Sequence, residues 1–404
     1  MPLSAQRAAV KLGWSLLWQS RLLCWRSHFR LVNASLLSGG GTHRCYLSGV
    51  NHYSHTPNSD VVDIYDASTG AWTVERLSEG RGYLTAASAK DVVLFGGGIG
   101  VNGISGKVDI YNVTSRSWSK TDLSVPRYTL AAASAGKFVV FAGGIHVDAS
   151  GEFSDAVDIF DVETWSRTSA KLSQRRGSLA AASDGRRLYF FGGFGGPANI
   201  STVRLDIYDT VTGRWSAQDM GGPRIGIAAF GRPGMTFFAG GNNLYNVSST
   251  IDVLNFTTGK FSQKSMSFAA MNIGGVCFGD GKVVLAGGAT ESISALDKLY
   301  ILSDFSSPSP VIPSRAFDMP VSATSMVAVT AGSKALFAGS IANMADVIVY
   351  DSVTNAITYL NATAVIRASP TSSIPSPLQA PEHIQFELRY AFLLSFTQSR
   401  IDIC

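Results

Sequence analysis

Few side chains in this sequence have both the type and the spacing to do chemistry. The six histidines are 28, 43, 52, 55, 146 and 383. His52 and His55 have a spacing that could share a metal ion. A His-x-x-His pair on a polar stretch is more often solvated, however, and no histidine from the C-terminal half joins it, so no metal site is expected. The four cysteines, 24, 45, 277 and 404, contain no CxxC pair, which argues against a disulfide scaffold and a zinc module. No GxxxxGK[ST] stretch is present to cradle a phosphate, and no cofactor is expected. What does recur is an acid followed 18 residues later by a base: Asp63/Arg81, Asp109/Arg127, Asp158/Arg176 and Asp206/Arg224, with Asp252 followed by Ala270. An arc of guanidinium groups at a channel mouth would hold an acidic peptide or glycan by forked hydrogen bonds. The plainer alternative is that each Arg pairs with a repeated Asp or a strand-end carbonyl. Arg81, Arg127, Arg176, Arg224 and His146 are the candidate partner-binding residues. No catalytic residue is assigned, because an acid repeated at symmetric positions seldom marks one active site.

The elements that carry these residues repeat. A β-branched and aromatic run surrounds each Asp, as in Val62-Asp63-Ile64-Tyr65-Asp66 and Val157-Asp158-Ile159-Phe160-Asp161, and its second residue falls at 63, 109, 158, 206, 252, 300 and 348. Seven units of about 48 residues account for most of the 404-residue chain; such a period signals a repeat architecture. Upstream of each run lies an apolar strand ending in two glycines: Gly96-Gly97, Gly143-Gly144, Gly192-Gly193, Gly240-Gly241 and Gly287-Gly288. Downstream, an aromatic sits seven residues beyond a tyrosine in Tyr65/Trp72, Tyr111/Trp118 and Tyr208/Trp215, and five beyond Phe160 at Trp165. Two apolar runs across a Gly-bearing turn read as a hairpin. Small-residue strands such as Leu130-Ala131-Ala132-Ala133-Ser134 follow each Arg and suit a crowded axis.

Ordered as apolar-Gly-Gly, Tyr and Trp once per ~50 residues, these marks resemble the kelch repeat of kelch β-propellers and of the galactose oxidase propeller domain. The resemblance implies an all-β, seven-bladed propeller of four-stranded antiparallel blades over 45–372, with the Tyr, Trp and Gly residues structural. Phe261 and Ile357 replace Trp in units five and seven, Gly339-Ser340 replaces the last Gly pair, and unit six has only a Pro-rich stretch from Ser307 to Pro313. For an oxidase of that superfamily, copper would need two imidazoles and two tyrosines converging on one site, and only His146 lies well inside the repeats. A carbohydrate-active propeller is the other enzymatic alternative; Asp66-Ala67-Ser68-Thr69-Gly70-Ala71-Trp72 resembles a sialidase Asp-box only superficially, and no clustered acid pair is found. The expected function is a non-catalytic binding scaffold for a protein segment or glycan, presented by the loops that follow the glycines, because insertions on one face mark a binding face.

A ring must close. Residues 364–371, with Arg367 lying 19 after Ile348, are expected to supply the innermost strand of unit one, with Arg30 to Leu37 as the alternative donor. Residues 1–44 are acid-free and basic and suit a targeting leader or sequence carried in by a mis-assigned first exon; 373–404 read as a helical or disordered tail. The net charge of +4 reflects this basic leader: the first 59 residues hold six bases and no acid, leaving 27 bases against 29 acids. Nucleic acid is therefore not an expected partner, and no apolar run of 18 residues suggests a spanning helix. Six Asn-x-Ser/Thr sequons, at Asn33, Asn112, Asn199, Asn246, Asn255 and Asn361, make the protein a glycoprotein candidate and tilt the expectation slightly towards the outside of the cell. A monomer is expected.

Overall fold

Each repeat is built on an apolar run without alternation. Val92–Gly96, Phe138–Ala142, Arg187–Phe191 and Val283–Ala286 are strands, and Leu94, Phe95, Val140, Phe141, Phe190 and Leu285 have no accessible surface. A strand apolar on both sides has to be covered on both faces, so no single sheet can stand alone. The computed structural model describes residues 59–361, apart from 149–150, 196–199, 244, 257, 293, 303–314 and 342–345, together with the backbone of strands Asn33–Gly39 and Thr42–Ser48.

Around each apolar strand the units form four-stranded antiparallel sheets whose strands follow chain order. Unit two comprises Thr85–Ala89, Val92–Gly96, Lys107–Asn112 and Ser117–Asp122. Units three, four and five repeat it, from Ala131–Ala135 to Ser166–Lys171, Ala180–Ser183 to Arg214–Asp219 and Ala228–Arg232 to Lys260–Ser265. Units six and seven share one sheet. Its 17-residue strand Arg315–Ala331 sets Phe317 opposite Leu299 and Val329 opposite Leu336, acting as outer strand of unit six and then inner strand of unit seven. That double use is why unit six shows no Trp hairpin of its own.

Buried clusters join each unit to the next. Ile64 packs with Phe95, Leu94 with Phe141, Val140 with Phe190, Tyr189 with Phe238, Phe237 with Leu285 and Val284 with Phe337. Tyr65 of unit one then packs with Leu336 and Val349 of unit seven, so the last unit covers the first. Burying one such Leu, Val or Phe side chain contributes about 1.5–3 kcal/mol.

Three expectations are corrected here. The innermost strand of unit one is Asn33–Gly39, paired with Thr42–Ser48 and lying beside Thr85–Ala89 and Arg315–Ala331. The upstream donor thus holds that place, the sheet begins inside the stretch read as a leader, and residues 364–371 and 373–404 lie outside the described residues. In unit two the glycines in left-handed conformation are Gly97 and Gly98 (φ 70° and 102°), matching Gly143 and Gly144 (64° and 108°). Gly96 ends a strand, where an added Cβ would come within 2.6 Å of the Phe141 ring.

The third correction concerns Trp165. Tyr65 faces Trp72, Tyr111 faces Trp118 and Tyr208 faces Trp215, with ring centroids 4.9–5.0 Å apart. Phe160 instead faces Arg167, so the seven-residue spacing holds in unit three without its tryptophan. Trp165 sits in the turn at φ 57°, 51% exposed, where units one, four and five place Gly70, Gly213 and Gly259 at φ 67–73°. A bulky side chain there is strained. At the same turns Asn112 accepts the Ser115 N–H at 2.8 Å and Asn255 the Thr258 N–H at 3.1 Å, so these two sequon asparagines also hold their turns. Trp165→Gly is expected to stabilise the protein by about 1 kcal/mol in urea unfolding; a loss of stability would show that the indole makes compensating contacts.

Candidate functional site

The four repeated arginines lie on the segments that enter the inner strands, and their side chains turn inward. Arg81, Arg127 and Arg176 are 0% exposed and Arg224 3%. Each meets the Asp of the unit it enters: Arg81–Asp109, Arg127–Asp158 at 2.5 Å, Arg176–Asp206 at 2.8 Å and Arg224–Asp252. Strand-end carbonyls take further donors. Arg81 donates to Gly97 O at 3.1 Å and Lys107 O at 2.6 Å, Arg127 to Gly143 O at 3.0 Å, Arg176 to Phe190 O at 2.8 Å and Arg224 to Gly240 O at 2.7 Å. The other oxygens of Asp109, Asp158 and Asp206 accept the N–H groups of Ser78, Ser124 and Ser173 at 2.9–3.1 Å. Burial pulls the pKa of Arg81, Arg127 and Arg176 down against the raising pull of the facing aspartates, and burial lowers Arg224 to about 10. All four remain cationic at neutral pH.

These groups therefore do not stand around a channel mouth, and the partner-binding assignment of Arg81, Arg127, Arg176 and Arg224 is corrected. Their fork clamps a loop to a sheet. The charges also come and go together: Ala270 with Tyr300 and Ala323 with Ile348 occupy the two positions in units six and seven, with Ala270, Ala323 and Ile348 fully buried. A lone buried charge would be costly, and units six and seven drop both partners, whereas unit one keeps Asp63, one of whose carboxylate oxygens has no hydrogen-bond partner among the described residues.

Above the clamps the loops that follow the glycines carry a layer of their own. Arg81–Gly82 pairs with Ile99–Gly100, Arg176–Gly177 with Phe194–Gly195, and single bridges join Tyr128 to Ile145 and Ile225 to Asn242. Beneath them Ile99, Tyr128, Ile145, Phe153, Phe194 and Ile225 form one buried cluster. The loop tips are apolar and exposed: Val101 72%, Ile200 55% and Tyr245 69%. His146 belongs to the same face, with Nδ1 2.8 Å from Pro126 O. The sequence reading passes over Val101, Ile200 and Tyr245; the available signal is a large apolar residue next to Asn in a loop rich in Gly, Asn and Ser.

Other chemical candidates resolve differently. His52 and His55 lie outside the described residues. Among the described residues no group of three His, Cys, Asp or Glu is placed to hold a metal ion. A cleft of about 320 Å³ on units four and five is lined by Arg187, Asp209, Trp215 and Phe256 among others. Arg187 and Asp209 are already engaged with each other: Arg187 donates to Asp209 at 3.2 Å and lies over the Phe256 ring at 5.0 Å. Although burial pushes Asp209 up, the Thr212 and Val211 N–H groups with Arg186 and Arg187 hold it well below the usual carboxylate range. It is no proton donor at neutral pH. Burial pushes the Cys277 thiol up to about 11, which leaves little thiolate nucleophile.

Residues 82–272 match the family model described as the KLHDC2/KLHL20/DRC7 kelch-repeats domain. A solved structure titled "Structure of YjhT" aligns with a TM-score of 0.53 and 15% identity, covering 70% of this chain and 96% of that one. No curated protein matches. With the repeats and the sheets described above, residues 82–272 carry kelch repeats and the fold is that of a kelch-type β-propeller. No helix among the described residues is long and apolar enough to cross a membrane.

Two outcomes follow from the buried groups. Arg127→Ala should cost about 3–5 kcal/mol in denaturant unfolding, because Asp158 is left buried and uncompensated, and Asp158→Asn should restore part of the loss. Native Cys277 should react with iodoacetamide at pH 8 about tenfold or more slowly than in urea, followed by peptide mapping; equal rates would contradict its burial.

Proposed function

We propose that this propeller is a seven-bladed, non-catalytic scaffold that binds a protein segment across the face carrying Val101, His146, Ile200 and Tyr245. The kelch propeller fold supports a binding scaffold in general. The observation that carries the finer reading is the pairing of exposed apolar tips with a buried layer directly beneath them. Loops held by their own short strands and by the cluster around Tyr128 and Phe194 lose little conformational freedom on binding. Exposed Tyr and aliphatic side chains on such a support are the kind that supply most of an interface's energy. The arginine clamps below serve this face by fixing where each loop begins, and the conformational cost of ordering is met in folding.

The test uses the full chain and a displayed peptide library selected on the wild-type protein. Peptides selected in this way are expected to lose about tenfold or more in affinity for a Val101→Asp/Tyr245→Ala variant, whose thermal midpoint should match wild type because both tips are exposed. Selected peptides that bind the variant undiminished would move the site off this face. Failure to select peptides, together with binding on a glycan array that the same variant abolishes, would replace the peptide by a glycan.

A further inference from the structure

The turn between the third and fourth strands of a unit needs one residue in the left-handed conformation, and units one, four and five supply Gly70, Gly213 and Gly259 there. Units two and three instead place Arg116 (φ 53°) and Trp165 (φ 57°) at that position. Both side chains are exposed. Trp72, Trp118 and Trp215 pack on tyrosines 4.9–5.0 Å away, whereas the indole of Trp165 makes no ring contact and no hydrogen bond among the described residues. It adds strain to the turn and belongs to no buried cluster. A strained, exposed residue that the fold does not use points to a role outside the fold.

The turns of units two to four form one rim. Lys90 of unit two reaches Glu163 of unit three at 3.1 Å, and the Phe138 ring of unit three lies 6.5 Å from Tyr208 of unit four. Each third strand runs from the glycine loop to this turn, so the rim lies at the opposite end of the sheets from Val101, His146, Ile200 and Tyr245. Its free charge is of one sign. Every carboxylate in these turns has a partner: Asp91 accepts from Asn112 at 3.4 Å, Asp161 pairs with Lys137 at 2.8 Å, Glu163 with Lys90, and Asp209 with Arg186 at 2.8 Å, while Asp184 accepts the Tyr189 O–H at 2.8 Å. Arg116 and Arg214 are exposed and have no ion pair among the described residues. Unit two thus presents a free guanidinium to one side of Trp165. Unit four presents another to the other side, beside Val211, which is 73% exposed.

We propose that this rim is a second docking surface, for an acidic segment of another protein that sets an apolar side chain against Trp165 and carboxylates against Arg116 and Arg214. Trp and Arg are the residue types that dominate interface energies, and two unpaired cations around an apolar anchor select a complementary pattern of acids. An anionic bilayer fits the rim less well, because Lys90, Lys137, Arg186 and Arg187 are already neutralised by the rim's own carboxylates.

The test starts from the full chain carrying Val101→Asp/Tyr245→Ala, so that the loop face does not supply the binding. Short displayed peptides rich in Asp, Glu and apolar residues are selected on it. Selected peptides are expected to lose about tenfold or more in affinity when Trp165→Gly is added, while the thermal midpoint stays level or rises. Trp165→Phe should keep part of the affinity, which separates loss of the aromatic anchor from a change in the turn. Arg116→Ala or Arg214→Ala should each weaken binding roughly threefold, a difference that added salt removes. Selected peptides indifferent to Trp165→Gly, or a library that yields none, would overturn the proposal. Binding of the chain to phosphatidylserine vesicles that Trp165→Gly abolishes, with no peptide selected, would overturn it in favour of a membrane contact.

Discussion

Everything in this molecule depends on strands that are apolar on both faces. Phe95, Phe141, Phe190 and Phe237 cannot be covered within their own four-stranded sheets, so each sheet is stable only between two others. A row of such sheets would still expose its first and last faces. The contact of Tyr65 with Leu336 and Val349 removes that exposure, and circular closure becomes a condition of stability more than a geometric ornament.

The arginine clamps add position to this adhesion. Hydrophobic faces are tolerant of small slips, whereas a guanidinium donating to a carboxylate and to a strand-end carbonyl is not. Because the clamp joins the segment entering a unit to the third strand of that unit, it sets the height at which each loop leaves the sheet. The loop layer around Ile99, Tyr128 and Phe194 rests on that height. Ionic groups here give little net stability over an apolar substitute; their contribution is to a defined loop face.

The period, the four-stranded units and the Asp–Arg spacing are legible in the residues because each is imposed by a steric or solvation rule that recurs in every unit. The failures are local and have physical reasons. Three consecutive glycines at 96–98 leave the turn ambiguous by one residue, and only the requirement for positive φ separates Gly96 from Gly98. Trp165 fits a search for an aromatic but occupies the turn, while the matching strand position holds Arg167. The arginines look exposed because Arg beside a loop usually is; their burial depends on an acid displaced by a full turn of the chain through another hairpin. The inner strand of unit one is hard to choose from sequence, since inner strands are short and made of small residues that several segments could supply. Val101, Ile200 and Tyr245 carry no periodic signal, which is the usual condition of residues that differ between repeats for a purpose.

The shared strand Arg315–Ala331 has a mechanical consequence. Elsewhere adjacent units are joined by buried side chains and by single backbone hydrogen bonds, such as Gly98 N–H to Arg127 O at 2.8 Å and Gly144 N–H to Arg176 O at 2.9 Å. Between units six and seven one strand carries pairings of both sheets, with register shifts at Leu296/Lys298 and Ala323/Ser325, so a crack that parts two sheets can open at other seams while this one must also break that shared strand. Prying forces would be carried around the ring to its softer joints, and these two units would travel as a single plate.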